Sequence, residues 1–193
     1  MKPSLLMATL LPFVIAGCAE PASDTSPQGS ATVSPAQACA SPYSTTKGNG
    51  DIGNPPIDFR GTWVLNTDRG ANLGMMKAVK ETIVATQTAD QAIFAMTDVF
   101  AGMTTTRTVT YDLNGGTAPN KAAMGAESET SSQWAGNTLV TTWAAEGAIA
   151  GTTSERTETR CLSDNGKTLN ITMTKAGNPD IEEAIWFVYE KSE

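Results

Sequence analysis

Beyond residue 57 the chain is punctuated by glycine and asparagine every ~8–12 residues, with apolar and polar side chains alternating between the breaks. A period of two puts apolar side chains on one face of a strand, and no long segment carries the apolar stripe of a helix. The pattern predicts strands at 61–66, 79–87, 91–98, 104–112, 127–134, 138–145, 152–162, 167–174 and 184–191. Leu169, Ile171 and Met173 share one face of their strand, and Ile185, Phe187 and Tyr189 share one face of theirs. Asn165-Gly166 is a strong hairpin signal, because a two-residue type I′ turn needs positive φ at both positions. Gly115-Gly116 and Gly136-Asn137 mark two further turns, while 67–77 and 113–126 read as the longest irregular stretches. Strands joined in sequence order form a meander, and a long meander tends to close because closure removes exposed edges. The expected fold is all-β, an antiparallel up-and-down barrel of about eight to ten strands.

The front of the chain has a different composition. Residues 1–17 contain Lys2 and an apolar run from Leu5 to Ala16 that is too short to span a bilayer, which takes ~20 residues. This segment reads as a secretory signal. It ends in Ile15-Ala16-Gly17-Cys18, which resembles the lipobox of bacterial lipoproteins. That resemblance implies cleavage before Cys18 and acyl chains on it; the plainer alternative is an ordinary signal peptide with a cysteine nearby. Ala19 in place of Asp leans the expectation toward a periplasm-facing outer-membrane position in the cell envelope. Residues 18–57 are rich in Ala, Ser, Thr, Pro and Gly and read as a lipidated flexible tether, leaving 58–193 as the barrel domain.

Composition narrows the chemistry. The net charge is −7 and becomes −8 once residues 1–17, with their single lysine, are removed. An acidic chain of this kind argues against nucleic acid as a partner. The sequence has no histidine, so the commonest general base and imidazole metal ligand are missing, together with every Ser-His or Cys-His pair. No metal site, cofactor or catalytic residue is expected, and the chain does not read as an enzyme. Ser44-Thr45-Thr46-Lys47 and Ser163-Asp164-Asn165 match two β-lactamase-type motifs in letters, but the serine lies in the tether rather than opening a buried helix. Gly48-Asn49-Gly50-Asp51-Ile52-Gly53 spells a dinucleotide fingerprint without the preceding strand or the following helix. In an oxidising compartment Cys39 and Cys161 are expected to form a disulfide, with a reactive thiol or an intermolecular bridge as the alternative.

Gly61-Thr62-Trp63 resembles the Gly-x-Trp signature of lipocalins and related calycin barrels. The runs Gly61–Asn66, Tyr111–Gly115, Gln133–Val140 and Leu162–Leu169 together resemble a widespread secreted bacterial lipocalin-like domain. The resemblance implies a fold and no reaction. It implies that Trp63 closes one barrel end, with a basic residue of the last strand, Lys191, across its ring.

Two function classes follow. In the first, a small apolar or amphipathic ligand occupies the barrel, with Arg107 and Tyr111 as polar handle and Trp143 among the aromatic contacts. In the second, the barrel is filled and the protein is an interaction module, such as an envelope protease or lysozyme inhibitor or an accessory factor. Arg107 and Glu81 each also read as ordinary paired surface charges, and Arg156, Glu158 and Arg160 read as an exposed charged ladder.

Overall fold

Short alternating strands satisfy their backbones most cheaply by pairing with the next strand in sequence. The computed structural model describes residues 55–121, 125–147, 149, 151–175 and 184–193, and its strands pair in this way. They are β1 (Gly61–Leu65), β2 (Lys80–Gln87), β3 (Gln91–Phe100), β4 (Met103–Asp112), β5 (Thr117–Lys121), β6 (Glu127–Ala135), β7 (Thr138–Glu146), β8 (Thr153–Ser163), β9 (Thr168–Lys175) and β10 (Ile185–Ser192). All are antiparallel in one sheet, in the order β4-β3-β2-β1-β10-β9-β8-β7-β6-β5. Pairing of β1 with β10 curls the sheet on itself and leaves only β4 and β5 as edges. The expected up-and-down barrel is therefore the observed fold. Residues 1–54, with the expected signal segment and tether, Cys18, Cys39 and the S-x-x-K and glycine motifs, lie outside the described residues.

Nine of these strands coincide with those predicted from alternation, with every end within two residues. The tenth, β5, falls inside 113–126, which the sequence presents as irregular. Its apolar content is Ala118 and Pro119, so it carries almost no alternation signal, and its proline, which cannot donate to a ladder, suits an edge strand. The Asn165 hairpin forms, but with a longer loop than the sequence suggests. Ser163 pairs with Thr168, and Asp164, Asn165 and Gly166 all take positive φ.

The seam between the two edges is closed by a side chain. The Thr110 amide donates to Asn120 Oδ1 at 2.8 Å, and Asn120 Nδ2 donates to the Thr110 carbonyl at 2.8 Å. Asn120 thus offers β4 the donor and acceptor that a neighbouring backbone residue would offer. Asn120 Nδ2 also donates to Thr130 Oγ1 at 2.8 Å, which ties the clamp to β6.

Alternation decides which side chains face inward. Trp63, Ile83, Phe94, Val109, Tyr111, Leu139, Trp143, Leu169, Ile171, Phe187 and Tyr189 do so and form one buried cluster. The barrel end where β1, β3, β5, β7 and β9 begin is shut by the segment before β1. Phe59 enters there, stacked on Trp134 at 6.0 Å and edge-on to Phe94 at 6.0 Å. Gln87 holds this segment by accepting from the Phe59 amide at 2.9 Å and donating to the Ile57 carbonyl at 2.7 Å.

We expect Asn120→Ala to cost about 1–3 kcal/mol in denaturant unfolding, since it orphans the backbone groups of Thr110. The Thr110 amide should also lose hydrogen-exchange protection, while amides in the β1–β10 ladder keep theirs.

Candidate functional site

Lys191 and Trp63 face each other across the β1–β10 pairing. The Lys191 ammonium lies 5.2 Å from the Trp63 ring centroid, and the indole N–H donates to the Phe59 carbonyl at 2.8 Å. Gly61 has φ +139°, and a Cβ there would come within 2.7 Å of Lys191 Cε. The glycine therefore leaves the space through which the lysine reaches the indole.

The polar groups of interest lie on the inward faces of β2, β3, β4 and β8. Arg107 does not meet Tyr111; each has found a different partner. The Arg107 guanidinium donates to Asp98 Oδ2 at 3.1 Å, to Glu81 Oε2 at 3.3 Å and to the Met96 sulfur at 3.1 Å. Glu81 is buried beneath it and accepts the Tyr189 hydroxyl at 2.7 Å. Burial pushes the Glu81 carboxyl up to about 7, helped by its hydrogen bond with Asp98, against the pull of Arg107 and Tyr189. Glu81 is thus the carboxyl beside Arg107 that tends to hold a proton.

Tyr111 belongs to a second network. Its hydroxyl accepts from Arg160 Nη2 at 2.6 Å, and the Arg160 guanidinium lies 4.1 Å from the centre of its ring. Arg160 also pairs with Glu158 and donates to Thr141 Oγ1 at 3.3 Å. Thr141 in turn bonds Ser132 at 3.0 Å. The other oxygen of Glu158 accepts from Arg156 Nε at 3.0 Å, and Arg156 lies 4.2 Å over the Trp143 ring. Burial raises the Glu158 carboxyl, but Arg160 and Arg156 outweigh it and hold the group below the usual carboxylate range. Burial holds the Tyr111 phenol above its ordinary value.

The exposed ladder expected on β8 is therefore wrong. Arg160 and Glu158 are 1% and 5% exposed and face into the barrel. No apolar residue marks the inner face of β8 until Leu162, so parity could not be read from that strand. The legible signal lay next door, because Arg160 pairs with Ile171 and Glu158 with Met173, both on a clearly apolar face. Cys161, one residue out of phase, is on the outer face and buried.

The mid-barrel is packed by the protein's own side chains, with Tyr111, Tyr189, Phe94, Ile83, Leu139 and Leu169 fully buried. Inward-facing groups at the opposite end from Trp63 are less covered. The Arg107, Arg156 and Asp98 side chains retain 30%, 27% and 18% exposure. Two buried donors near this polar system have no hydrogen-bond partner, Trp143 Nε1 and Arg160 Nε. Two open surface hollows, of about 440 Å³ beside Pro119, Glu129 and Glu146 and about 350 Å³ beside Pro55, Arg60 and Gln87, involve none of Arg107, Tyr111 and Trp143. Among the described residues there is no cluster of three metal-ligating side chains.

No protein-family model and no curated protein matches the sequence. Solved structures match the fold. A fatty acid binding protein of Schistosoma mansoni, in complex with arachidonic acid, has TM-score 0.52 at 15% identity over 72% of this chain and 100% of its own. Lipid binding protein 8 of Caenorhabditis elegans has TM-score 0.52 at 12% identity over 69% of this chain and 95% of its own. Human cRBP IV has TM-score 0.51 at 16% identity over 71% of this chain and 100% of its own. The chain thus shares the all-β, up-and-down barrel fold of these structures.

The fold prefers Glu81 protonated. Its contribution to stability is complete below 4.5 and is lost as pH rises through about 7. Between about pH 5 and about pH 8 the thermal midpoint should fall by ~3–6 °C, and Glu81→Gln should flatten that fall. A thermal melt series on both proteins checks this; an equal slope in the variant would assign the titration elsewhere.

Proposed function

We propose that this protein is a lipid-anchored envelope barrel that binds a small apolar or amphipathic molecule at its less covered end. The observation that carries the reading is the pair of buried, unpartnered donors, Trp143 Nε1 and Arg160 Nε, where the interior charge network meets the apolar core. Buried N–H groups are rarely left unmatched, and a ligand oxygen reaching them relieves that cost. The fold supports the reading, since the similar structures are described as binding fatty acid or lipid. Ligand entry involves the end bordered by Arg107, Asp98 and Arg156, with the Trp63 end remaining shut. The polar handle is Arg160 with Trp143, in place of Arg107 with Tyr111, because both of the latter already have partners inside the protein.

A second reading is favoured by one observation. The packed mid-barrel leaves the described interior without an obvious chamber, as in a module whose function lies on its surface. Native mass spectrometry of protein made in a bacterial periplasm separates the two. A reproducible non-covalent adduct supports the carrier. A clean mass that takes up nothing from an envelope lipid extract favours the interaction module.

Anchoring through acyl chains on Cys18 and pairing of Cys39 with Cys161 are part of the proposal. The position of Cys161 supports the pairing, because it points outward yet is buried beside Asn170 and Val188 on the β8–β10 face. The intact mass should be two protons below the reduced value. Radiolabelled palmitate should enter the protein and be lost in Cys18→Ala, with the chain moving from the membrane to the soluble fraction. Labelling that survives the substitution would overturn the anchor.

A further inference from the structure

We infer that the molecule taken up by this barrel is uncharged at its polar end, an alcohol, ester or ketone on an apolar body, and not a free carboxylate. The inference rests on the carrier reading and concerns the charge of the ligand.

Three arginines reach the barrel interior, and each already has a carboxylate of the protein. Arg156 and Arg160 hold the two oxygens of Glu158, and Arg107 holds Asp98 and Glu81. With all three carboxylates ionised the six charges cancel. An incoming carboxylate would therefore meet no unmatched cation, and it would be drawn into a poorly hydrated space beside Glu158. Burying an unmatched charge there is unfavourable. What the interior leaves open is different in kind: one acceptor, Asp98 Oδ1, which would repel a carboxylate, and two donors. Trp143 Nε1 and Arg160 Nε are donors without acceptors, both belonging to the string Trp143–Arg156–Glu158–Arg160. A neutral oxygen satisfies such a donor without adding charge. The other unpartnered indole, Trp186, lies on the outer face and takes no part.

The charge balance depends on pH at one place. Glu81 gains a proton below about 7, leaving the interior one positive charge in excess. The groups facing Glu81 are Asp98 on β3, Arg107 on β4 and Tyr189 on β10. The test is therefore run at about pH 8, where Glu81 is ionised and the balance is neutral.

The experiment uses the purified full chain, stripped of co-purifying lipid on a hydrophobic resin. It is titrated with dodecanol, methyl laurate and laurate, which share one chain length and differ at the polar end. Binding is followed by tryptophan fluorescence and by native mass spectrometry. The expected result is that dodecanol and methyl laurate bind at least ~10-fold more tightly than laurate. Trp143→Phe should weaken the two neutral probes several-fold, with the fold intact by circular dichroism. Glu158→Gln should raise laurate affinity, since it frees the arginines for an external carboxylate. Where Glu158→Gln does not fold, the wild-type ranking and Trp143→Phe still decide. Laurate binding as tightly as the neutral probes would overturn the inference and leave the carrier reading in place. Absence of binding by all three would overturn both.

Discussion

The interior of this barrel depends on how it keeps the Arg160 guanidinium away from water. Arg160 is fully buried, and an isolated charge in that position costs several kcal/mol even after relaxation. Glu158 two residues along, the Tyr111 hydroxyl and ring, and Thr141 on the neighbouring strand jointly offset the cost. These partners come from β4, β7 and β8, so the charge network works only when those strands hold their registers. Their pairing brings it about. Thr141 stands opposite Glu158 and Leu139 opposite Arg160, which places the hydroxyl and the guanidinium on adjoining positions. A one-residue slip on β8 would turn both charges outward and Cys161 inward. The network thus adds specificity to a strand whose sequence, rich in Thr, Arg and Glu, offers little apolar pattern to fix it.

The two barrel ends are built on different principles, and this gives the molecule a direction. At one end an indole, a lysine stem and two further aromatic rings close the wall, and the segment leading into β1 is pinned by Gln87. At the other, charged groups of β3, β4 and β8 remain partly in contact with solvent. Motion that admits a molecule costs least where contacts are fewest and water already reaches the polar groups.

How much of this was legible in the sequence varies with the kind of statement. Strand positions were, because alternation and turn residues act locally: Leu169, Ile171 and Met173 announce β9 without help from the rest of the chain. β5 was not, because a five-residue edge strand made of Thr, Ala, Pro, Asn and Lys gains its place from β6 and from the Asn120 clamp, which are tertiary facts. The site was legible in part. Arg107, Tyr111 and Trp143 all face inward, but their partners come from other strands: Glu81 for Arg107, Arg160 for Tyr111 and Arg156 for Trp143. Reading Arg107 and Tyr111 as one handle assumed that inward residues on one strand act together. In the barrel each joins the strand beside or across from it. The β8 ladder failed for the same reason, since a charged strand face is solvated only if nothing opposite supplies rings and carboxylates.

The packed interior and the proposed ligand are compatible on energetic grounds. A packed barrel does not exclude a ligand that replaces protein contacts with equivalent ones. Opening space among Met96, Trp143 and Phe187 would expose apolar surface at ~25 cal/mol per Å², a cost that an apolar ligand of similar area returns on entering. The polar part of the exchange is what cannot be returned by just any molecule. Splitting Glu158 from its two arginines would leave three charges unpaired, and no neutral ligand compensates that. Satisfying Trp143 Nε1 and Arg160 Nε leaves every existing ion pair intact. The route of least cost is therefore one in which the apolar side chains yield and the charge network stays fixed, acting as a floor for the polar end of the ligand.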